Sequence, residues 1–410
     1  MRAFIALEQR FLENGQDFYA DASVDYSFWV RYLDVFDRVT IIARSKKVTV
    51  VPEQCPRSTG PGVDHFSMPY YEGPKEYLLQ SSALWNSSRL VSLQKGAFIL
   101  RVPGSIGTLV WIHLKRLGKP YALEVVGDPA DSLSPLIWSS KLMKPIRWLS
   151  QTALRRQCHE AMAGIAYVSR VLGQKYPPGQ NATNISYIPT GIEVPNFDNG
   201  LDVEAAKNMK AALTTVPTTS RPERRRMVFV GTLEALYKGQ EYLLKALRRM
   251  LDTGLDIELE VIGDGRFRPS LEALAHDLGL GERVRFSGKI TERREVFEKL
   301  RSSHLFLLPS LAEGLPRALI EAMALGLPCI ATSVGGIPEL LPKEDLVPPA
   351  DANRLAEKII EVLQNPERMH RMSERNRGTA QQYRTEALRK QRIRFYEDVS
   401  KITERFQNKY

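Results

Sequence analysis

The sequence predicts an α/β protein of two doubly wound, Rossmann-like domains facing a cleft. Three observations carry that prediction: short unalternating apolar runs, longer helical stretches between them, and one break in the rhythm near mid-chain. A length of 410 residues agrees, favouring two or three domains at about 150 residues each. Continuous apolar, β-branched runs suit strands buried on both faces of a parallel sheet. Alternation of such runs with helices builds βαβ units.

In the first half the runs fall at 3–7, 39–43, 48–51, 97–102, 121–126, 165–168 and 185–188, with helical stretches at 24–36, 106–117 and 146–162. The segment 195–226 breaks the pattern. It holds Asn196, Asp198, Gly200, Pro217 and Pro222, ends in Arg224, Arg225 and Arg226, and reads as a linker. The rhythm then restarts, with strands at 227–230, 257–262, 284–286, 305–308 and 329–331. Helices intervene at 241–251, 269–278, 293–300, 316–324 and 352–363. The expected domains are 1–195 and 227–375, joined by 196–226, with a polar helical stretch at 376–410.

Hydrophobic residues make up 43% and charged residues 25% of the chain. At this size such a chain buries enough core to fold without disulfides or a structural metal. Cys55, Cys158 and Cys329 are far apart and form no C-x-x-C pair. That argues against a zinc site and a disulfide framework, and for a reducing cytosol. No apolar run reaches the roughly 18 residues that span a bilayer. Residues 1–15 carry Glu8 and Glu13 and lack the apolar core of a signal peptide. The sequons at Asn86, Asn181 and Asn184 then read as chance matches. Lys and Arg number 57 against 47 Asp and Glu, a formal charge of +10. An anionic partner is expected: a phosphorylated ligand, an acidic lipid surface or nucleic acid.

Ligands of doubly wound sheets bind outside the carboxyl ends of the strands, so the residues after the second-domain strands are the candidates. Strand 227–230 runs into Gly231, Thr232 and Leu233, and Lys238-Gly239 opens a helix. Gly231 permits a tight turn and a close ligand. A lysine at a helix N-terminus adds charge to a place that already favours anions. A turn glycine and a solvated lysine give the same pattern. Gly263-Asp264-Gly265 and Ser287-Gly288-Lys289 follow the next two strands and are weak signals alone.

The strongest local signal is P-S-L-A-E-G-L-P-R-A-L-I-E at 309–321. Gly314 and Pro316 mark a helix start, with Pro316 near its first position. Glu313 then lies in the preceding loop, and Glu321 about five residues inside, roughly 7 Å along the axis. The free N–H groups of the first turn make an anion site flanked by two carboxylates at different depths. A ligand with both phosphates and sugars fits: a diphosphate at the helix end, Glu321 on nearby hydroxyls, Glu313 beyond it. The alternative is a helix that carries glutamate near its start for dipole reasons.

Glu313 and Glu321, with Gly314 and Pro316 between them, match an E-x7-E motif, and here the chain resembles the group 1 retaining glycosyltransferases of GT-B fold. The following stretch, A-M-A-L-G-L-P-C-I-A-T-S-V-G-G-I-P-E-L at 322–340, is similar to that family too. So are Gly231 with Lys238-Gly239, Gly263-Asp264-Gly265, residues 284–288, and Pro189-Thr190-Gly191-Ile192 followed by Phe197. The resemblance covers about residue 167 onward well and the first half in outline.

It implies transfer of a sugar from a nucleotide diphosphate donor to a hydroxyl acceptor with retained anomeric configuration. The donor would sit on the second domain and the acceptor on the first, and the last helix would cross back onto the first domain. Glu321 would hold the ribose, Glu313 the transferred sugar and Lys238 the diphosphate. Gly231, Thr232, Gly263, Gly314, Leu315 and Arg317 would line the donor site, and the loop around Gly288 would meet the base. Charge that grows on the leaving diphosphate would be met by Lys238 and the helix N-terminus. No cofactor and no metal is expected. Many relatives have arginine where Thr232 stands, so Arg266 or Arg317 is the expected substitute. Many also carry histidine where this chain has Gly127-Asp128-Pro129. Asp128 is therefore a candidate contact to the reacting sugar, beside its reading as a turn aspartate. Asn14 and Gly15, in a Glu13-Asn14-Gly15 loop, are candidate lid residues.

From Ser132 to His159 there is no Asp or Glu, while Lys141, Lys144, Arg147, Arg155 and Arg156 interleave with Leu136, Ile137, Trp138, Leu142, Met143, Ile146, Trp148 and Leu149. The pattern suits an anionic membrane surface and equally a basic helix with its apolar face in a core. The combined expectation is a cytoplasmic enzyme, peripheral on the inner face of the membrane, that serves bacterial surface polysaccharide or glycolipid synthesis. Its acceptor would be a glycan or a lipid-linked sugar. An inactive homologue serving as a sugar-binding or assembly subunit, and a nucleotide-sugar epimerase, are the alternatives. Nucleic acid is the weakest of the three anionic partners.

Overall fold

The computed structural model describes residues 1–20, 24–53, 55–132, 143–180, 182, 184–189 and 224–409. The chain forms two compact units. One comprises Met1–Ala130, Lys144–Pro189 and Arg389–Tyr410; the other comprises Asp131–Met143 and Thr190–Leu388.

The first unit contains β1 (Arg2–Asn14), β2 (Asp17–Tyr19), α1 (Tyr26–Leu33), β3 (Arg38–Lys47), β4 (Val63–Met68), α2 (Gly73–Leu79), α3 (Ser81–Ser92), β5 (Ala97–Val102), α4 (Ser105–Arg116), β6 (Ala122–Val125), the first half of α5 (Pro129–Ser132), all of α6 (Met143–Glu160) but its first residue, β7 (Gly164–Tyr167), α7 (Arg170–Lys175) and β8 (Ile185–Tyr187). Its sheet runs β4-β3-β1-β5-β6-β7-β8, with β2 paired to β1. Only the β1–β2 pair is antiparallel among the described strands. The central strands β5, β6 and β7 are buried at every position but Arg101, which is why they read as largely apolar runs. Helix α1 starts where the Asp25 carboxylate accepts a hydrogen bond from the Phe28 N–H at 3.2 Å, an N-cap. Trp29 and Tyr32, three positions apart on one helix face, then enter the core.

Residues 48–51 form no strand. The Val48 N–H donates to the Glu13 carbonyl at 2.9 Å, which folds this run back on β1, and Val50 is 78% exposed. The sheet takes β4 instead. Its sequence V-D-H-F-S-M, at the sheet edge and half-exposed, gives little apolar signal.

The second unit contains β9 (Arg225–Val230), α8 (Gln240–Asp252), β10 (Ile257–Ile262), α9 (Arg268–Asp277), β11 (Val284–Gly288), α10 (Arg293–Arg301), β12 (Leu305–Leu308), α11 (Arg317–Ala324), β13 (Cys329–Thr332), β14 (Leu346–Val347), α12 (Ala352–Leu363) and α13 (Pro366–Ala380). Its strands are all parallel, in the order β11-β10-β9-β12-β13-β14. This doubly wound order reverses between β9 and β12. Leu243, Leu244, Leu247 and Met250 bury one face of α8, the spacing of an amphipathic helix.

The last helix, α14 (Thr385–Gln407), places Phe395, Tyr396 and Val399 in the core of the first unit. The boundary falls at Arg389, later than the expected 376. Helix α13 stays with the second unit, where Asn376 donates to the Leu327 carbonyl at 2.7 Å. Arg225 and Arg226 belong to β9 and not to a linker. The segment 190–223, with Thr190, Gly191, Ile192 and Phe197, lies outside the described residues.

Candidate active site

The reversal between β9 and β12 opens a crevice at their carboxyl ends, the place where such sheets bind ligands. The chain leaving β9 reaches Lys238 in a short 3-10 turn before α8, and the chain leaving β12 reaches Glu313 before α11. Backbone contacts lock these loops together. The Leu311 N–H donates to the Tyr237 carbonyl at 2.7 Å, and the Gly336 N–H to the Gly314 carbonyl at 2.8 Å. Two glycines make the close approach possible. Gly239 and Gly335 have φ of 74° and 52°. A Cβ on Gly239 would lie 1.9 Å from the Pro309 carbonyl oxygen, and one on Gly335 would lie 1.7 Å from that of Glu313. No other residue fits either position.

Within this frame the Lys238 Nζ lies 2.6 Å from Glu313 Oε1. The Ser310 hydroxyl donates to the same oxygen at 2.7 Å, and the Thr332 hydroxyl donates to the Ser310 carbonyl. The two charged side chains are 15% and 7% exposed. Burial alone would depress the Lys238 pKa, but the Glu313 carboxylate, with Tyr237, holds it above the ordinary lysine value. Glu313 Oε2 accepts no hydrogen bond from the described residues. Helix α11 begins three residues after Glu313, at the N-cap Pro316, with no side-chain cap and no acid in its first turn. Its free N–H groups and dipole are left for an anion. One turn on, Glu321 Oε1 accepts from the Arg293 guanidinium at 2.9 Å.

The other second-unit candidates surround this group. The Gly231 N–H donates to the Ile262 carbonyl at 3.0 Å, and the Gly263 N–H to the Gly288 carbonyl at 2.9 Å, so the ends of β9, β10 and β11 are tied in one row. Thr232 is exposed. Its hydroxyl accepts from the Glu234 N–H at 3.1 Å, and its carbonyl from Gln240 at 2.9 Å. Leu315 packs half-buried against the core. Of the two expected substitutes for an arginine at 232, Arg266 is tied to Glu234 through its N–H and its guanidinium, both at 3.1 Å. Arg317 is exposed on the first turn of α11.

Two candidates fall in the first unit. The Asp128 carboxylate is buried and occupied: Oδ1 accepts from the Ala130 N–H at 2.7 Å and the Tyr176 hydroxyl at 2.5 Å, and Oδ2 pairs with Lys175. The expected lid loop is the turn of a hairpin. Strand β1 runs on to Asn14, which pairs with Asp17 across the turn at Gly15. The Asn14 amide donates to the Thr49 carbonyl at 3.0 Å.

Sequence reasoning assigned no role to Ser310, Thr332, Arg293 or the Gly335-Gly336 turn. The serine three residues before Glu313 and the V-G-G following β13 were the available signals. Among the described residues, no group of three or more His, Cys, Asp or Glu could hold a metal ion, and no helix is long and apolar enough to cross a membrane. In α6, Trp148 and Leu149 are 63% and 58% exposed, beside exposed Lys144, Arg155 and Arg156. Residues 133–142 of the basic segment lie outside the described residues.

Residues 216–379 match the family described as glycosyl transferases group 1. The second unit belongs to the group 1 glycosyltransferases. Protein CapJ of Staphylococcus aureus is 27% identical over 351 residues, which cover 85% of this chain and 83% of that protein. The GDP-mannose-dependent monoacylated α-(1-6)-phosphatidylinositol monomannoside mannosyltransferase of Corynebacterium glutamicum is 28% identical over 233 residues, 52% of this chain and 56% of that one. Among solved structures, the sucrose-phosphate synthase of Thermosynechococcus elongatus superposes with a TM-score of 0.70 at 18% identity, covering 97% of this chain and 99% of that chain. That likeness carries the fold. The two parallel-sheet α/β units are those of the GT-B fold.

Proposed function

We propose that the protein is a retaining glycosyltransferase that moves a sugar from a nucleotide diphosphate donor to a hydroxyl of a glycan or lipid-linked acceptor. The observation that carries this reading is the buried Lys238–Glu313 pair at the crevice between β9 and β12, beside the uncapped N-terminus of α11. A diphosphate there gains the helix N–H groups and the Lys238 ammonium, with Arg317 on the same turn. These are fixed charges aimed where negative charge develops as the sugar–phosphate bond breaks. Glu313, whose Oε2 accepts nothing from the described residues, accepts from a hydroxyl of the transferred sugar, and Glu321 from the ribose. The reading requires no resident metal. Dependence on GDP-mannose in the Corynebacterium relative's name supports a nucleotide-sugar donor, and the phosphatidylinositol in that name supports a lipid-linked acceptor.

The exposed Trp148 and Leu149 beside basic residues favour a second element of the reading: α6 rests on an anionic membrane, where a lipid-linked acceptor is found. This would suit a peripheral cytoplasmic enzyme of surface polysaccharide or glycolipid synthesis. Apolar contact plus basic charge gives binding that weakens as salt rises.

A panel of nucleotide sugars tests the donor reading through binding and slow hydrolysis. Turnover in the wild type, abolished or strongly reduced in folded Lys238→Ala and Glu321→Ala variants, is the expected result. Binding without turnover of any donor would favour an inactive sugar-binding subunit. Anomeric analysis of the released sugar distinguishes retention from inversion. Co-sedimentation with vesicles containing anionic lipid, lost in Trp148→Ser and Leu149→Ser together, tests the membrane element.

A further inference from the structure

Glu313 Oε1 receives two donors, the Lys238 ammonium at 2.6 Å and the Ser310 hydroxyl at 2.7 Å. If Lys238 also meets a diphosphate, its ammonium divides its three N–H groups and its charge between that anion and this oxygen. A buried carboxylate whose cation is shared in this way is costly unless a second donor stays on it. Ser310 is fully buried, and its carbonyl is held in turn by the fully buried Thr332 hydroxyl at the end of β13. The fold therefore holds the Ser310 backbone beside Glu313 independently of Lys238, so its hydroxyl remains within reach of Oε1.

On the reading of the site given above, we propose that Ser310 is a positioning residue for Glu313. It keeps Oε1 satisfied, and so fixes the carboxylate, when the lysine shares its charge with the donor diphosphate. A positioning residue of this kind acts on recognition of the sugar and not of the nucleotide. Glu313 lies in the loop before α11, whereas the diphosphate is met by the helix end and by Lys238.

The test measures affinity for UDP-glucose and GDP-mannose, with UDP and GDP as sugar-free controls, and kcat for whichever donor the wild type turns over. In Ser310→Ala the preference for the nucleotide sugar over its own diphosphate, or kcat, should fall about tenfold, the size of one hydrogen bond to a charged group. Affinity for the bare diphosphate should stay within about twofold. Ser310→Thr, which keeps a hydroxyl, should recover most of the loss. Thr332→Val, which acts one bond further away, should shift the same ratio less. Equal losses for sugar-bearing and sugar-free ligands would mean that Ser310 merely supports the loop, and would overturn the role. So would an unchanged ratio and kcat in a folded Ser310→Ala protein. A wild type that binds none of the four probes would instead overturn the donor-site reading itself, and this role with it.

Discussion

Two buried carboxylates, one in each unit, differ in a single respect. Glu124, in β6, is satisfied on both oxygens. Oε1 accepts from the hydroxyls of Tyr32 at 2.9 Å and Tyr396 at 2.8 Å, and Oε2 pairs with Arg101, with the Arg31 guanidinium 3.9 Å away. Glu313, after β12, has a cation and a hydroxyl on one oxygen and nothing from the described residues on the other. The closed carboxylate ties α1, β5, β6 and α14 together. The half-open one follows the carboxyl end of β12, where the proposed donor reading puts a ligand on its second oxygen. Burial and pairing with a cation are common to both, so neither separates them. The acceptor left unspent among the described residues does.

The same substitution at the two positions should therefore fail in opposite ways. The largest effect is expected for Glu124→Gln. It leaves Arg101 and Arg31 without their counter-charge and should cost about 3–5 kcal/mol of stability, read by denaturant unfolding, with kcat per folded molecule retained. Glu313→Gln keeps an oxygen for Lys238 and Ser310, so its melting temperature should move little. Its donor turnover should fall about 10²–10³-fold, the scale for losing one preorganised electrostatic contact. Loss of stability without loss of turnover in Glu313→Gln would erase the distinction.

Asp128 sharpens the comparison, because its carboxylate is closed like that of Glu124 although it follows a strand end like Glu313. Asp128→Asn should lose about 1.5–3 kcal/mol of stability through weakened charged hydrogen bonds and keep turnover within about twofold. A large fall in kcat would return it to the chemistry.

A pH titration separates the units further. Burial would raise the Glu124 pKa, but Arg101 and Arg31, helped by Tyr396 and Tyr32, hold it below the ordinary value. A carboxylate depressed in the folded state stabilises fully above its unfolded pKa, and that contribution is lost as pH falls through the folded one. Acid unfolding of the first unit, followed by tryptophan fluorescence, should thus lie below the ordinary glutamate range and lose that component in Glu124→Gln. The smallest effect is expected for Arg389→Ala. Its pair with Asp34, at 2.8 Å, also joins α14 to α1 but is exposed, and the melting temperature should be unchanged within error.

Much of the second unit was legible in the sequence because its strands are buried on both faces and its helices are amphipathic. Periodicity therefore reports each element directly. The E-x7-E spacing located Glu313 and Glu321, and Gly314 with Pro316 located the start of α11, since local backbone preferences set that boundary. The first unit was read less well. Its edge strand β4 breaks its apolar residues with Asp64, His65 and Ser67, and the apolar run at 48–51 folds back on β1 instead of joining the sheet. Asn14 and Gly15 read as a loop because a hairpin extending β1 is fixed by its pairing with β2, not by composition.

By itself, then, the sequence determined the doubly wound class and the placing of the two candidate glutamates before and within α11, both of which depend on short-range spacing. Tertiary structure alone decided that Lys238, Ser310 and Glu313 share one oxygen. Seventy-five residues separate that lysine from its glutamate, and only the neighbouring of β9 and β12 brings them together. It also decided that the charge excess noted at the outset is not spread evenly in effect. Arg101 and Arg31 are spent on a closed carboxylate, whereas Lys238 is held beside a half-open one. Which charges remain free for a ligand depends on hydrogen bonds across long sequence separations, which no local pattern encodes.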